Sequence, residues 1–289
     1  MPHPARRSLA LATLALAAAP ARAQPSHRVD CHTHSFVPGL PRAADARYAP
    51  DYDASYDRLL ALAEANGIGR VVITQPSFLG HDNSYLFGAL RARPDRLRGV
   101  PWLAPGTSAA QWDEMARIGV RGLRFPILGL AMPDWADYRE TFAEAKRRGW
   151  TLDLYVESRR LPEVLPVMLD SGAEVIVPHM GMVDRTLGPR HDPGFRLLLE
   201  AAKTGRSYVK LSGAYRLGAE PAREAAAMVI EAYGPDRLVW GSDWPHTNTT
   251  MDRVTTYPQT LAWLAALVPD AARRERILVD TPARLYGFG

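Results

Sequence analysis

From residue 24 onward, short apolar runs alternate with longer segments in which apolar residues recur every three or four positions. Runs such as Val71-Val72-Ile73 and Val175-Ile176-Val177 are typical of strands that are buried on both faces of a parallel sheet. Eight strands are predicted, at Arg28–His34, Arg70–Gln75, Leu97–Leu103, Val120–Phe125, Thr151–Glu157, Glu174–His179, Tyr208–Gly213 and Leu238–Asp243. The segments between and after them predict helices at Tyr56–Asn66, Ser84–Ala92, Ala109–Ile118, Trp135–Arg148, Pro162–Asp170, Phe195–Thr204, Ala222–Tyr233, Pro258–Leu267 and Ala271–Leu278.

This alternation determines the expected fold. Eight strand–helix units over about 250 residues are typical of a (β/α)8 TIM barrel. The rival is a doubly wound open sheet, which favours a glycine-rich phosphate turn after the first strand, and Asp30–Gly39 contains no GxGxxG motif. No internal repeat, low-complexity tract or linker divides the sequence. We therefore predict an α/β protein with a single barrel domain at residues 24–289.

The first 23 residues differ in composition from the rest of the chain. Arg6-Arg7 precede a short Ala/Leu core, and Ala21-Arg22-Ala23 has the small-X-small pattern of a cleavage site. We predict a cleavable signal peptide at residues 1–23, resembling the twin-arginine type, and hence an exported, periplasmic protein. This segment carries three arginines and no acid, so removing it takes three charges from the net +4 and leaves +1. We therefore expect neither nucleic acid nor a membrane as a partner of the mature protein.

Two further features concern the first strand and the segment after it. The chain has one cysteine, Cys31, so no internal disulfide is expected. Strand alternation predicts that Cys31 is buried on the face opposite His32 and His34. The segment Ser35–Asp53 is unusually long for a loop and is predicted to cover the barrel mouth as a lid.

Polar side chains occur at the ends of three predicted strands. His32 and His34 end the first strand, His179 ends the sixth, and Asp243 ends the eighth. In a barrel the carboxyl ends of all strands meet at one face, and the eighth strand lies beside the first. We therefore expect these four side chains to converge into one catalytic centre.

The motifs that contain these residues resemble the amidohydrolase superfamily. The motifs are His32-Thr33-His34, Pro178-His179-Met180-Gly181 and Gly241-Ser242-Asp243-Trp244-Pro245-His246. More narrowly, the chain is similar over nearly its whole mature length to the amidohydrolase-2 branch, which includes pyrone-dicarboxylate hydrolases and related lactonases. The resemblance implies a hydrolase built on a TIM barrel.

The chemistry of these groups points to an attack by water on a carbonyl. Asp243 can act as the general base, and His32, His34 and His179 can polarise the scissile carbonyl, either directly or through a bound Zn²⁺. The resemblance implies that binuclear members add a bridging lysine, or a further acid or histidine, from strands four to six. Here strand four ends at Arg124-Phe125 and strand five gives Tyr155 and Glu157, so two metal ions are not expected. A mononuclear site of His32, His34, His179 and Asp243 is chemically adequate. The resemblance implies metal-free catalysis in the lactonase branch, so we expect no cofactor as the first choice and one Zn²⁺ as the alternative.

Arginines near the strand ends predict an anionic small-molecule substrate, because guanidinium groups bind carboxylates in a bidentate fashion. In the branch that the chain resembles, positions like these bind carboxylates. The predicted substrate-binding residues are Arg124, Tyr155, Arg185, Arg216, Ser77, Asn83 and His246, with His81 near them. The segment Pro126–Ala131 is apolar where those hydrolases carry further basic residues. This difference predicts a substrate with one carboxylate missing or replaced by an apolar group.

Together these features predict an exported hydrolase that opens a lactone, or a similar cyclic ester, bearing at least one carboxylate. Two alternatives are a Zn-dependent decarboxylase or amide hydrolase on the same scaffold, and a non-catalytic periplasmic binding protein. The binding protein would be expected to have lost an acid or a base, whereas this chain keeps all four groups.

Overall fold

The computed structural model describes residues 26–48, 50–247 and 255–288. Within these residues eight strands form, and each lies inside or overlaps one of the predicted strands. The strands are β1 (Val29–Thr33), β2 (Arg70–Thr74), β3 (Leu97–Val100), β4 (Gly122–Pro126), β5 (Thr151–Tyr155), β6 (Glu174–Val177), β7 (Ser207–Leu211) and β8 (Leu238–Trp240). The predicted signal peptide at residues 1–23 lies outside the described residues.

The strands pair in chain order and run parallel to one another. One sheet has the order β1-β2-β3 and the other has the order β4-β5-β6-β7-β8. Backbone hydrogen bonds join the two sheets between Gly99 and Arg121 (3.0 Å) at one junction and between Asp243 and His32 (2.8 Å) at the other. These contacts close the strands into a ring. This α/β fold with parallel strands is consistent with the predicted (β/α)8 barrel.

Helices follow the strands, and most match the predicted segments. Their bounds are α1 (Tyr56–Ala65), α2 (Ser84–Ala92), α3 (Ala109–Ile118), α4 (Arg139–Arg148), α5 (Leu161–Asp170), α6 (Gly188–His191), α7 (Pro193–Ala201), α8 (Ala214–Leu217), α9 (Ala219–Tyr233), α10 (Tyr257–Leu267), α11 (Ala271–Glu275) and α12 (Thr281–Tyr286). The short helices α6 and α8 and the terminal α12 were not predicted. A π-helical turn at Arg276–Asp280 joins α11 to α12. Among the described residues no helix has the length and apolar character that a membrane span requires.

Most of the buried side chains form two layers. The larger cluster lies between strands and helices, where alternate strand residues such as Val71, Ile73 and Trp240 pack against the apolar faces of the helices. The smaller cluster fills the inside of the ring and takes residues from most strands, among them Cys31, Val72, Val100, Ile176 and Val239. Because both faces of each strand are buried, the strands read as nearly continuous apolar runs.

Candidate active site

The four predicted catalytic side chains converge at the carboxyl end of the ring. Asp243 lies at the centre and is fully buried. Its Oδ1 lies 3.6 Å from His32 Nε2 and 3.4 Å from His34 Nε2, and its Oδ2 lies 3.8 Å from His179 Nε2. The three imidazoles pack edge to face, with ring centroids 5.1 Å apart for His32 and His34 and 4.8 Å apart for His32 and His179. The sequence prediction of a single convergent centre agrees with this geometry.

The backbone around these groups is strained and tightly packed. Asp243 and His179 have φ angles of 61° and 53°, a region that non-glycine residues rarely adopt. Two glycines make room for the imidazoles, since a Cβ at Gly241 would lie 2.5 Å from the Cβ of His32 and one at Gly213 would lie 2.6 Å from His179 Nδ1. Strain of this kind is concentrated at functional sites in proteins. It supports the assignment of this centre as the active site.

A bulge in β1 places His32 in the centre and corrects one prediction. The pairing of β1 with β2 shifts register between Asp30 and Thr33, so that one extra residue lies on β1. Cys31 is buried, as predicted, among the residues that fill the inside of the ring. The prediction that it faces away from His32 is wrong, because His32 also contacts Lys210, whose side chain lies inside the ring. Strand alternation does not hold across a bulge.

The two oxygens of Asp243 have different environments. Oδ2 accepts hydrogen bonds from Tyr215 Oη (2.5 Å) and Arg216 Nε (3.0 Å). Oδ1 has no hydrogen-bond partner among the described residues. Burial alone would raise the pKa of Asp243, but the positive charge of Arg216 beside it lowers that pKa well below its usual value. Asp243 is therefore an ionised carboxylate with one oxygen free to accept a proton.

The imidazoles are held by defined partners at their Nδ1 atoms. His34 Nδ1 lies 2.8 Å from the carbonyl oxygen of Thr74, and His179 Nδ1 lies 2.9 Å from Ser212 Oγ. Burial lowers the pKa of His34, lowers that of His32 well below its usual value, and lowers that of His179 to about 3. All three rings are therefore neutral near pH 7. Because a carbonyl only accepts hydrogen bonds, His34 carries its proton on Nδ1 and directs the lone pair of Nε2 into the site.

The centre fits a metal ion only in part. Ligand atoms of His32, His34 and Asp243 lie within 4.8 Å of one another, so this trio could hold one ion, and His179 is not part of it. A histidine that binds metal normally donates its other ring N–H to a carbonyl or a carboxylate. His34 meets this requirement through Thr74, whereas His32 Nδ1 faces the ammonium group of Lys210 at 3.2 Å. The hydrogen bonding of His32 therefore does not suit a metal ligand.

Arg124 and Tyr155 lie beside the centre, as predicted. The side chain of Arg124 is only 3% exposed, and its guanidinium carbon lies 5.6 Å from the centre of the Tyr155 ring. The guanidinium group donates to the backbone oxygen of Gln75, and its Nε has no partner among the described residues. No described carboxylate forms an ion pair with Arg124, although its positive charge lowers the pKa of His34. The ring of Tyr155 packs against His179, with centroids 5.3 Å apart.

The other two predicted arginines occupy different environments. Arg216 pairs with Asp243, its Nη2 lying 2.9 Å from Oδ2, so its nearest anion is the proposed base. Arg185 is exposed and lines a neighbouring cavity of about 550 Å³, together with Ser212 and Tyr215. The structure therefore brings Arg124 and Arg216 to the centre but places Arg185 at its edge.

Of the remaining predicted binding residues, His246 lies beside the centre, whereas Ser77 and Asn83 contact other parts of the protein. His246 packs edge to face on Tyr215, with centroids 5.4 Å apart, and borders the centre. Ser77 Oγ lies 3.5 Å from the hydroxyl of Tyr48. The amide of Asn83 donates to the backbone oxygens of His81 and Trp102, both at 2.9 Å. The predicted role of Asn83 in substrate binding does not fit this arrangement, because backbone groups already use its hydrogen-bonding capacity.

The long loop after β1 crosses the strand ends. Its residue Tyr48 lies with its hydroxyl 3.5 Å from Ser77 Oγ and 3.4 Å from Thr247 Oγ1, and so contacts loops from opposite sides of the centre. Phe36 pairs with Ala54 at the base of the loop and packs on Phe78. These contacts tie the loop to the strand ends, and its role as a lid over the mouth remains a prediction.

Sequence reasoning missed several polar groups around the four central residues. They are Thr74, Asp153, Lys210, Ser212 and Tyr215. The signal for two of them was present, because Lys210 and Asp153 are charged residues within apolar strands, and such residues are rarely buried without a partner. The contribution of Thr74 comes from its backbone oxygen and leaves no trace in the sequence.

Comparison with known proteins gives the family. The amidohydrolase family model matches residues 29–288, which includes every strand and all four central side chains. The chain belongs to the amidohydrolase family. The residues that the family model spans are thus those that form the ring and its carboxyl-end site.

Individual relatives of this amidohydrolase agree with the family match. Over 281 residues it is 31% identical to a 2-pyrone-4,6-dicarboxylate hydrolase of Comamonas testosteroni, covering 91% of this chain and 90% of that protein. It is 30% identical to a 4-sulfomuconolactone hydrolase of Rhizobium radiobacter, with 89% of each chain covered. A solved Acinetobacter baumannii structure, described as a probable 2-pyrone-4,6-dicarboxylic acid hydrolase with citric acid bound, is 29% identical. Its TM-score is 0.84, over 91% of this chain and all of that one.

Proposed function

We propose that this amidohydrolase hydrolyses a lactone that carries at least one carboxylate. The observation that carries the proposal is the environment of Asp243, whose Oδ2 is held by Tyr215 and Arg216 while Oδ1 faces two imidazoles with no hydrogen-bond partner among the described residues. A buried carboxylate with one free oxygen beside hydrogen-bonding imidazoles suits the activation of water for attack on a carbonyl. The similarity to lactone hydrolases supports the same chemistry.

The proposed reaction uses the two oxygens of Asp243 differently. A water molecule that contacts both Asp243 Oδ1 and His34 Nε2 from the open side of the site gives its proton to Oδ1 as its oxygen attacks the lactone carbonyl. His32 and His179 donate hydrogen bonds to the carbonyl oxygen as negative charge develops on it. Protonated Asp243 then passes the proton to the ring oxygen as the carbon–oxygen bond breaks. The product is an open-chain hydroxy acid or its keto tautomer, and Asp243 is again ionised.

Arg124 accounts for the anionic part of the proposed substrate. A buried guanidinium group without a direct ion-pair partner is costly, because its charge has lost water without a carboxylate in contact with it. A substrate carboxylate bound at Arg124 would supply that charge. The relatives named for dicarboxylate and sulfonated substrates, and the neighbour with bound citric acid, support an anionic substrate. Arg216 is assigned to hold Asp243 instead, since their side chains already form an ion pair.

The metal-dependent alternatives receive less support. A Zn-dependent decarboxylase or amide hydrolase would need His32 as a ligand, and the ammonium group of Lys210 lies at its Nδ1. We therefore propose catalysis without a metal as the first choice. All four central groups are present, so a binding protein without catalysis is not favoured. Export to the periplasm also remains a proposal, and sequencing the amino terminus of the mature protein tests for cleavage after residue 23.

A panel of lactones tests the proposed function directly. Purified protein is treated with a chelator and mixed with γ- and δ-lactones that differ only in whether a ring carboxylate is free or methylated, and acid release is followed with a pH indicator. We expect turnover of carboxylated lactones that survives chelation and is weak for the methyl esters. Activity that appears only with added Zn²⁺, or on amides or aromatic acids in place of lactones, would contradict the proposal.

A further inference from the structure

Beneath the three imidazoles lies a charged group that the proposed reaction does not use. Lys210, on β7, is fully buried inside the ring of strands. Its Nζ lies 2.9 Å from the backbone oxygen of Cys31, 3.2 Å from His32 Nδ1 and 2.5 Å from Asp153 Oδ2. An ammonium group has three N–H donors and no acceptor, and here three acceptor atoms lie within hydrogen-bond distance of it. The contact with His32 is therefore a hydrogen bond that Lys210 donates.

This hydrogen bond determines where His32 carries its proton. Nδ1 must offer its lone pair to Lys210, and a neutral imidazole has only one ring proton, so that proton lies on Nε2. His32 Nε2 points toward Asp243 Oδ1 at 3.6 Å and has no hydrogen-bond partner among the described residues. His32 thus presents an N–H donor to the centre of the active site.

The neighbouring histidine is held in the opposite state. His34 Nδ1 donates to the carbonyl oxygen of Thr74, so its Nε2 presents a lone pair. Two imidazoles on one strand therefore present a donor and an acceptor to the same space. The acceptor suits a water molecule that is losing a proton, and the donor suits a carbonyl oxygen that is gaining charge.

We propose that Lys210, held in place by Asp153, is a positioning residue that fixes His32 as an Nε2–H donor to the lactone carbonyl oxygen and prevents it from binding a metal. A metal ligand would need the lone pair on Nε2 and a proton on Nδ1, where the ammonium group now lies. A buried ion pair seldom adds stability over apolar residues of similar size, so its presence here is explained better by this role. The catalytic half of the proposal rests on the proposed function, whereas the proton position does not.

Nitrogen NMR on the wild-type protein tests the proton position without any substrate. The protein is labelled with ¹⁵N-histidine, and the His32 signals are assigned by their loss in His32→Gln. We expect the Nδ1 of His32 to resonate as a lone-pair nitrogen and its Nε2 as a protonated one, with the reverse pattern for His34. A proton on Nδ1 of His32 would overturn the proposal, whether or not the protein opens lactones.

A paired substitution tests the role of the lysine. Lys210→Met alone would leave Asp153 as a buried carboxylate without a partner, so the variant combines Lys210→Met with Asp153→Asn. We expect the proton of His32 to move partly to Nδ1 and kcat to fall about 100-fold with little change in KM, as when one oxyanion donor is lost. We also expect zinc retained after dialysis, measured by elemental analysis, to rise at least tenfold. An unchanged His32 spectrum, kcat or zinc content in the folded variant would contradict the proposal.

Ser207→Ala provides the matched control on the same strand. Ser207 is buried like Lys210, but its hydroxyl contacts Tyr233 at 2.9 Å on the helix side of β7. This control should lower the melting temperature while leaving the His32 spectrum and kcat unchanged. If the control shifts the His32 nitrogens as much as the paired variant does, the effect is a general loosening of β7 and the proposal is wrong. If the paired variant does not fold, the wild-type spectrum still decides the proton position.

Discussion

At the scale of single residues, the environment of each oxygen and nitrogen in the centre determines what it can do. Asp243 is one carboxylate with two roles, because Oδ2 is bound by Arg216 and Tyr215 while Oδ1 is left for chemistry. His34 and His32 are identical side chains whose Nδ1 partners differ, one a carbonyl and the other an ammonium group. The centre is therefore specified by the neighbours of the four side chains as much as by the four themselves.

Arg124→Met tests whether the buried guanidinium group binds a substrate carboxylate. A hydrogen bond to a charged group contributes about 1.5–3 kcal/mol, so KM for a carboxylated lactone should rise roughly 10- to 100-fold with a smaller change in kcat. The same variant should scarcely alter KM for the matching methyl ester. Arg185→Met is the control, since that side chain is exposed at the edge of the site. An equal rise in KM for the carboxylated lactone and for its methyl ester would show that Arg124 does not bind the substrate carboxylate.

Gly241→Ala tests the close packing beneath His32. The new Cβ would lie 2.5 Å from the Cβ of His32 and 2.9 Å from its backbone nitrogen, so His32 must move. We expect a loss of about 1–3 kcal/mol in the free energy of unfolding, together with at least a tenfold fall in kcat. Gly88→Ala is the control, because it lies in α2 with nothing within 4 Å of the new Cβ, and alanine favours a helix over glycine. Full activity in Gly241→Ala would show that the position of His32 is not critical.

At the scale of elements, periodicity predicts the strands and helices well but not the local irregularities that shape the site. The bounds of α2 and α3 follow residue by residue from the spacing of apolar positions, and all eight strands are confirmed. The bulge in β1 could not be predicted, because an extra residue leaves the composition of a strand unchanged. The roles of Asn83 and Arg185 also could not be predicted, because they depend on which backbone atoms two loops bring near them.

The loop after β1 yields a prediction for catalysis. Tyr48→Phe removes the hydroxyl that lies near both Ser77 and Thr247. The loop then loses two contacts that attach it to the strand ends. Each lost contact contributes at most about 1 kcal/mol, so we expect KM to rise about two- to tenfold while kcat changes less than twofold. Tyr52→Phe is the control on the same loop, where the side chain is 44% exposed. Equal kinetics for the two variants would show that the hydroxyl of Tyr48 does not fix the loop.

At the scale of the whole molecule, the buried titratable groups make stability depend on pH. The pKa of His179 is lowered to about 3 by burial, so below its ordinary value of 6.5 the unfolded chain binds a proton that the native protein does not. This difference alone removes about 2 kcal/mol by pH 5, and His32 and His34 act in the same direction. Burial raises the pKa of Asp30 from 3.8 to about 6, which stabilises the native protein as the pH falls through that range.

We therefore expect the free energy of unfolding to fall between pH 7 and pH 5, because three histidines outweigh one aspartate. Denaturant titrations at each pH measure it. His179→Gln should flatten the fall by removing one of the three contributions. Asp30→Asn should steepen it, since the opposing contribution is lost while an amide oxygen can still accept the hydrogen bonds from Ser242 and His32. A stability that does not change with pH in the wild type would contradict the neutral state of the buried imidazoles.

The central claim is that Asp243 activates water for the opening of a carboxylated lactone. The most direct measurement compares Asp243→Asn with the wild type for both turnover and binding of the same lactone, using rapid mixing for the first and calorimetry for the second. The amide keeps the shape and can still accept hydrogen bonds from Tyr215 and Arg216, but it cannot take a proton from water. We predict that kcat falls by at least about 1,000-fold while the lactone still binds measurably. Turnover within tenfold of the wild type would contradict the account.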